Sequence, residues 1–214
     1  VHQTPDSPAS TGRRIGVYGG TFDPPHLGHL IIASETRITL ELDEIVFVPA
    51  GQPPHKDPAR VTPAAARLEM LRLAIADNPN FRIDTLEIER DGRSWTAETL
   101  MELTSREPDA DHWFLMGADS LAALHTWRQP DQILALARIA VAARPGTTIQ
   151  LDDVHSRVPA TRGRVDLVDV PLIDIASHTL RHRARQGIPL DYLVPDSVSR
   201  HIARTGIYAS PQVR

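Results

Sequence analysis

Residues 15–29 read IGVYGGTFDPPHLGH. The opening Ile15-Gly16-Val17-Tyr18 is a short apolar run that ends in Gly19-Gly20, which reads as a buried strand feeding a turn. Beyond the turn, residues 27–40 set Leu27, Leu30, Ile31 and Ser34 along one side, the spacing of a helix. A strand, a glycine turn and a helix in immediate succession are the start of an α/β unit.

The alternation continues down the chain. Residues 43–49 (DEIVFVP), 81–88 (FRIDTLEI), 112–116 (HWFLM), 138–143 (RIAVAA) and 165–170 (VDLVDV) read as strands. Helices are predicted over 62–77, 95–105, 130–137, 177–186 and 195–205, the first with Thr62 as N-cap and Pro63 in its favoured first position. Strands alternating with helices argue for a parallel sheet covered on both faces. Residues 50–61 and 147–163 are polar and irregular and are expected as loops, the first ordering when ligand binds. Residues 1–13 (VHQTPDSPASTGR) have no apolar period and are expected as a disordered leader. The expected organisation is therefore one domain over 14–208, with a small helical part at its C-terminal end.

Composition removes several classes of function. The chain has 214 residues, 23 Lys+Arg against 27 Asp+Glu, and a formal net charge of −4, a balance that speaks against a nucleic-acid coat or a polybasic membrane anchor. It has no cysteine, which excludes disulfide frameworks, thiolate metal sites and cysteine nucleophiles. No apolar run approaches the roughly 18 residues of a membrane span, and no secretory signal is visible, so the expected compartment is the cytoplasm.

The chemistry concentrates in Gly19-Gly20-Thr21-Phe22-Asp23-Pro24-Pro25-His26-Leu27-Gly28-His29. In an open α/β sheet, ligands bind beyond the carboxyl ends of the strands, where this string lies. Gly19 and Gly20 let the backbone approach a ligand closely. The helix start offers unpaired N–H groups and a partial positive charge to phosphate. His26 and His29 are three apart and face one point, and Gly28 removes a side chain that would block them. Two imidazoles can donate to phosphate oxygens without carrying a fixed charge. Taken alone, such a histidine pair is also compatible with a metal site or plain surface.

The full string resembles the G-G-T-F-D-P-x-H-x-G-H signature of nucleotidyltransferases with a Rossmann-like, doubly wound parallel sheet and an H-x-G-H motif. Within that group, residues 14–208 resemble the bacterial nicotinate-nucleotide adenylyltransferases. The resemblance extends to Pro53-Pro54-His55-Lys56, Ser94-Trp95-Thr96-Ala97-Glu98-Thr99-Leu100, Gly117-Ala118-Asp119-Ser120, Thr126-Trp127-Arg128 and Arg144-Pro145-Gly146. It implies transfer of AMP from ATP to nicotinate mononucleotide, with Mg²⁺ arriving on ATP and no dedicated carboxylate cage for it. His26, His29, Lys56 and Arg181 would serve the reacting phosphates. Gly19, Gly20, Thr21, Phe22, Gly28, Gly117, Asp119, Arg144 and Ser177 would bind ATP, Asp119 through the ribose. His55, Thr96, Ala97, Trp127 and Arg128 would bind the acceptor. In that set, Thr96 and the helix N–H groups would take the nicotinate carboxylate, and Trp127 would stack on the pyridine ring.

Each of these residues also has a plainer reading. His55 and Lys56 suit a solvated basic loop, Thr96 and Asp119 suit helix caps, and a lone Trp suits a core. Trp113, inside an apolar strand, is expected in the core. The family's C-terminal I-S-S-T-x-x-R-x-R is altered here to Ile175-Ala176-Ser177-His178-Thr179-Leu180-Arg181-His182-Arg183. The ungapped register keeps Ile175, Ser177, Arg181 and Arg183, and it predicts weakened or retuned triphosphate binding with activity kept. The rival readings are a pantetheine-phosphate adenylyltransferase, an enzyme preferring nicotinamide mononucleotide, and a nucleotide-binding regulator that has lost turnover. No nucleic-acid or membrane partner is expected.

Overall fold

The computed structural model of the chain describes residues 12–53, 57, 59, 61–143 and 149–209. Six strands, β1 (Arg14–Gly20), β2 (Glu44–Pro49), β3 (Phe81–Ile83), β4 (Asp111–Gly117), β5 (Arg138–Ala143) and β6 (Val165–Asp169), form one sheet. Their order is β3-β2-β1-β4-β5-β6 and every pairing is parallel. The order reverses between β1 and β4. In sheets of this kind that reversal opens a crevice at the carboxyl ends of the two strands, which here are Gly19-Gly20 and Met116-Gly117.

Alternation along the strands divides the core into two layers. Ile15, Val17, Val46, Val48, Phe114, Met116, Ile139 and Val141 face one side. They are covered there by α4 (Thr96–Arg106), α5 (Ala118–Ala122), α6 (Pro130–Leu136) and α7 (Leu151–Arg157). Ile45, Phe47, Trp113, Leu115, Ala140 and Ala142 face the other side, under α1 (Leu27–Thr39) and α2 (Ala64–Ile75). Both faces are apolar because both are covered, which is why the strands read as continuous apolar runs. Trp113 is in the core as expected, and its indole N–H donates to Asp166 at 2.9 Å. The C-terminal helices α8 (Ser177–Arg185) and α9 (Asp196–Thr205) add a small third cluster. In it Leu180, Val198, Ile202 and Tyr208 pack on Met70 of α2.

Four expectations are corrected. The strand predicted over 81–88 ends at Ile83, and Leu86–Glu89 forms a short helix, α3. Asp84 ends the strand by accepting the Leu86 N–H on its side chain at 3.0 Å, the local turn that Asp favours. Helix α2 starts at Ala64 with Pro63, not Thr62, at the cap, and no side chain caps it. The Thr62 N–H instead donates to Asp23 at 3.2 Å. The irregular stretch 147–163 contains α7 and a 3-10 turn at Pro159–Thr161, anchored by buried Val154 and Val158. Finally, Arg13, expected in the leader, belongs to the folded part. Its carbonyl accepts the Asp111 N–H at 2.8 Å, and its guanidinium pairs with Glu44 and Glu107.

Candidate active site

The motif turn runs from the end of β1 to the start of α1, with His26 as N-cap and His29 in the first turn of the helix. The two imidazoles stack, with centroids 3.7 Å apart and planes inclined by 28°. The His26 N–H donates to His29 Nδ1 at 3.2 Å, so Nδ1 acts as the acceptor and Nε2 is the ring nitrogen that carries a proton. His26 is 6% exposed, and burial lowers its pKa to about 4. It is therefore a neutral imidazole at pH 7. A Cβ added at Gly28 would sit 3.1 Å from His26 Nδ1, so glycine is what lets the rings lie so close to the helix.

Behind the turn lies a buried polar network. Asp23, 3% exposed, accepts the Tyr208 hydroxyl at 2.7 Å and the Thr62 N–H at 3.2 Å. Arg181 of α8 donates to the Asp23 carbonyl at 2.6 Å, and Ser177 donates to the Pro24 carbonyl at 2.9 Å. Ser177 and Arg181 are four apart on one helix face, directed at the motif, while His178 and Thr179 are exposed. Ala176 is the N-cap of α8 and supplies no side-chain cap. The hydroxyl lost there leaves the helix N–H groups in place, beside the turn.

Phe22 plays a different part from the one its motif position suggests. Its side chain is 1% exposed and packs edge-on against Tyr18 and His29, leaving only its backbone for a ligand. Its ring also explains Gly20, where an added Cβ would meet it at 2.8 Å. At Gly20 the missing side chain makes room for protein rather than for ligand.

The other wall of the crevice is an open cleft of about 830 Å³. Gly19, Gly20 and Thr21 line it on one side, and Thr96, Trp127 and Arg128 on the other. Thr96 is the first residue of α4, after Trp95 at the N-cap, so Thr96 is not itself a cap. Ala97 is buried in the core and can offer only its backbone. Trp127 packs edge-to-face on Phe114 at 6.0 Å while lining the cleft, combining the core and platform readings. The Arg128 guanidinium lies 5.2 Å from the Trp95 ring centroid and pairs with Glu98 at 3.1 Å.

Not every expected residue joins this cleft. Gly117 and Asp119 sit at the end of β4 and the start of α5. Asp119 lines a separate hollow of about 700 Å³ with Ile149, Asp153 and Arg157. His55, Lys56 and Arg144 lie outside the described residues.

Other residues here escaped sequence reasoning. Glu87 lines the cleft, is 7% exposed, and accepts the Thr99 hydroxyl at 2.6 Å and a hydrogen bond from Ser94. Burial raises its pKa, against the lowering effect of those bonds. Arg67 lies fully buried beneath the turn, where burial lowers its pKa. Among the described residues, no group of three or more His, Cys, Asp or Glu is placed to hold a metal ion. Nor is any described helix long and apolar enough to cross a membrane.

A parallel sheet with a strand-order reversal, and a stacked histidine pair at the helix start beside it, define a nucleotidyltransferase. The family model described as cytidylyltransferase-like matches residues 17–183. A Thermomicrobium roseum protein described as a probable nicotinate-nucleotide adenylyltransferase is 47% identical over 195 residues, covering 91% of each chain. A protein of the same description from Roseiflexus sp. is 44% identical over 194 residues, 91% of this chain and 97% of the other. The chain belongs to the nicotinate-nucleotide adenylyltransferase family of these nucleotidyltransferases. In fold it is similar to the Plasmodium falciparum nicotinic acid mononucleotide adenylyltransferase solved with NaAD. The TM-score is 0.75 at 17% identity, over 92% of this chain and 97% of that one.

Proposed function

We propose that residues 14–208 act as one nucleotidyltransferase domain that transfers AMP from ATP to nicotinate mononucleotide in the cytoplasm. The products are deamido-NAD and pyrophosphate. The observation that carries this reading is the stacked His26–His29 pair at the start of α1, adjoining a cleft walled by Thr96 and Trp127.

A phosphate oxygen of the mononucleotide attacks the α-phosphorus of ATP in line. The bond from that phosphorus to the bridging oxygen breaks, and pyrophosphate leaves with the bridging electrons. The protein's contribution is placement and charge stabilisation, with no covalent intermediate. His26 and His29 donate to ATP phosphate oxygens, and the backbone of Gly19, Gly20, Thr21 and Phe22 lies beside them, with Gly28 leaving them room. Arg181 and Lys56 neutralise phosphate charge, and Ser177 brings the start of α8 to the same phosphates. Gly117 and Asp119 receive the ribose, and Arg144 is assigned to ATP binding. Mg²⁺ bound to the ATP phosphates supplies further neutralisation.

On the acceptor side, the nicotinate carboxylate meets the Thr96 hydroxyl and the N–H groups of Thr96 and Ala97, where a helix start favours an anion. Trp127 offers its face to the pyridine ring, with Arg128 at the rim, and His55 is the further residue assigned to the acceptor.

The test is pyrophosphate release from ATP and Mg²⁺ with nicotinate mononucleotide, nicotinamide mononucleotide and phosphopantetheine side by side. Strong preference for the first is expected. Turnover only with phosphopantetheine would overturn the acceptor assignment. ATP binding with no turnover on any acceptor would favour a regulator.

A further inference from the structure

Arg67 lies in the first turn of α2 and is 1% exposed. Its guanidinium donates to four backbone carbonyls on three separate segments. Nε reaches Thr62 at 2.8 Å, Nη1 reaches Thr21 at 2.8 Å, and Nη2 reaches Ala50 at 2.6 Å and Gly51 at 3.3 Å. Burying a guanidinium is costly, and one held this way is strongly placed by its planar fork of donors.

The Ala50–Gly51 peptide makes the arrangement more than a structural staple. Its carbonyl accepts from Arg67, and its N–H, which a trans peptide points the opposite way, donates to Ser94 at 3.0 Å. Ser94 in turn bonds Glu87, and it immediately precedes Trp95 and Thr96 in the cleft. At Gly51 an added Cβ would lie 2.0 Å from the Glu87 carbonyl, so the segment after β2 and helix α3 are in close contact. One side chain thus holds the motif turn through Thr21, and the start of α4 through Gly51 and Ser94.

We infer that Arg67 is a positioning residue that sets the distance and angle between the ATP half and the acceptor half of the site. The inference rests on the bisubstrate reading above. In-line transfer depends on that distance, since a misplacement of about 1 Å can cost about 100-fold in rate. Both substrates contact one half each, so an error in the relation between the halves lowers kcat while leaving each affinity in place.

The test compares Arg67→Lys, Ser94→Ala and the double variant. Arg67→Lys keeps the charge but loses the fork. Its kcat should fall about 100-fold, with the KM for each substrate within about threefold of wild type. Ser94→Ala should also lower kcat, and the double variant should be no worse than Arg67→Lys alone, because both cut one link. Unchanged kcat in a folded Arg67→Lys variant, or losses that multiply in the double variant, would overturn the inference. If Arg67→Lys does not fold, Ser94→Ala decides. A loss confined to acceptor KM would make Ser94 a local contact and remove the link. Hydrogen exchange at the Gly51 amide keeps this test separate from the reaction itself. If the wild type lacks the proposed activity, faster Gly51 exchange in Arg67→Lys still supports the link, and unchanged exchange rejects it.

Discussion

The two walls of the crevice are built in opposite ways. The motif wall is backed by buried side chains. Phe22 is buried beneath His29, Asp23 is bound by Tyr208 and the Thr62 N–H, and α8 touches the turn through Ser177 and Arg181. The acceptor wall carries half-buried or exposed side chains, Trp95, Trp127 and Arg128, held by ring contacts and one ion pair with Glu98. The difference matches the tasks. Phosphate chemistry needs donors fixed before the reaction, because reorganising them would cost rate. An aromatic ring and a carboxylate can be received by a surface that adapts a little. The comparison implies that changes at the motif wall strike the chemical step, and changes at the acceptor wall strike binding.

The largest effect is expected at His29. His29→Ala removes the Nε2 donor and the acceptor of the His26 N–H. Loss of one such charge-stabilising donor is worth about 100- to 1000-fold in kcat. Titration of ATP by calorimetry should show binding retained, because the helix N–H groups and Arg181 remain. Turnover unaffected by the change would remove the histidine pair from the mechanism.

How far each wall could be read beforehand follows from the same contrast. The motif wall is contiguous in sequence, and its residue types match their task, so His26, His29 and the strand–turn–helix context were all legible. Its support was not. Arg67 stands in an Ala/Leu-rich helix, where a cation ordinarily faces water, as Arg72 does. Only the tertiary fold brings the carbonyls of Thr21 and Ala50 to it. Tyr208 lies 185 residues from the Asp23 carboxylate it bonds. Glu87 fell inside a predicted strand, because the apolar alternation of 81–88 hid the turn that Asp84 makes. The α/β architecture survived these errors, since it rests on long apolar strands buried on both faces. α7 was missed because it is short and polar, with one buried side chain within it to mark its inner face.

The neutral state of His26 makes the motif wall sensitive to acid. Its folded pKa is about 4 against an ordinary 6.5, owing to burial. The unfolded chain therefore binds the proton more readily, and folding must give it up. The stability tied to the neutral ring is fully present above pH 6.5 and is lost as pH falls toward 4. A shift of this size corresponds to roughly 3 kcal/mol across that window. Urea midpoints of wild type and His26→Asn, measured from pH 7.5 down to 4.5, should converge with falling pH. A constant gap between them would mean that His26 is not held neutral in the folded protein.

The smallest effect is expected at Trp127, where the acceptor wall can be tested alone. Its ring packs on Phe114 and shows a surface to the cleft, and in the proposed reaction it meets the pyridine ring. Trp127→Phe keeps the core contact while reducing the stacking surface. Aromatic pairs are worth about 0.5–1.5 kcal/mol beyond area burial. The KM for nicotinate mononucleotide should therefore rise by a few-fold to about tenfold, while kcat and the KM for ATP stay near wild type. Steady-state kinetics with each substrate varied in turn reads both. A fall in kcat comparable to that of His29→Ala would contradict the division of labour between the walls, because it would place Trp127 in the chemical step rather than in binding.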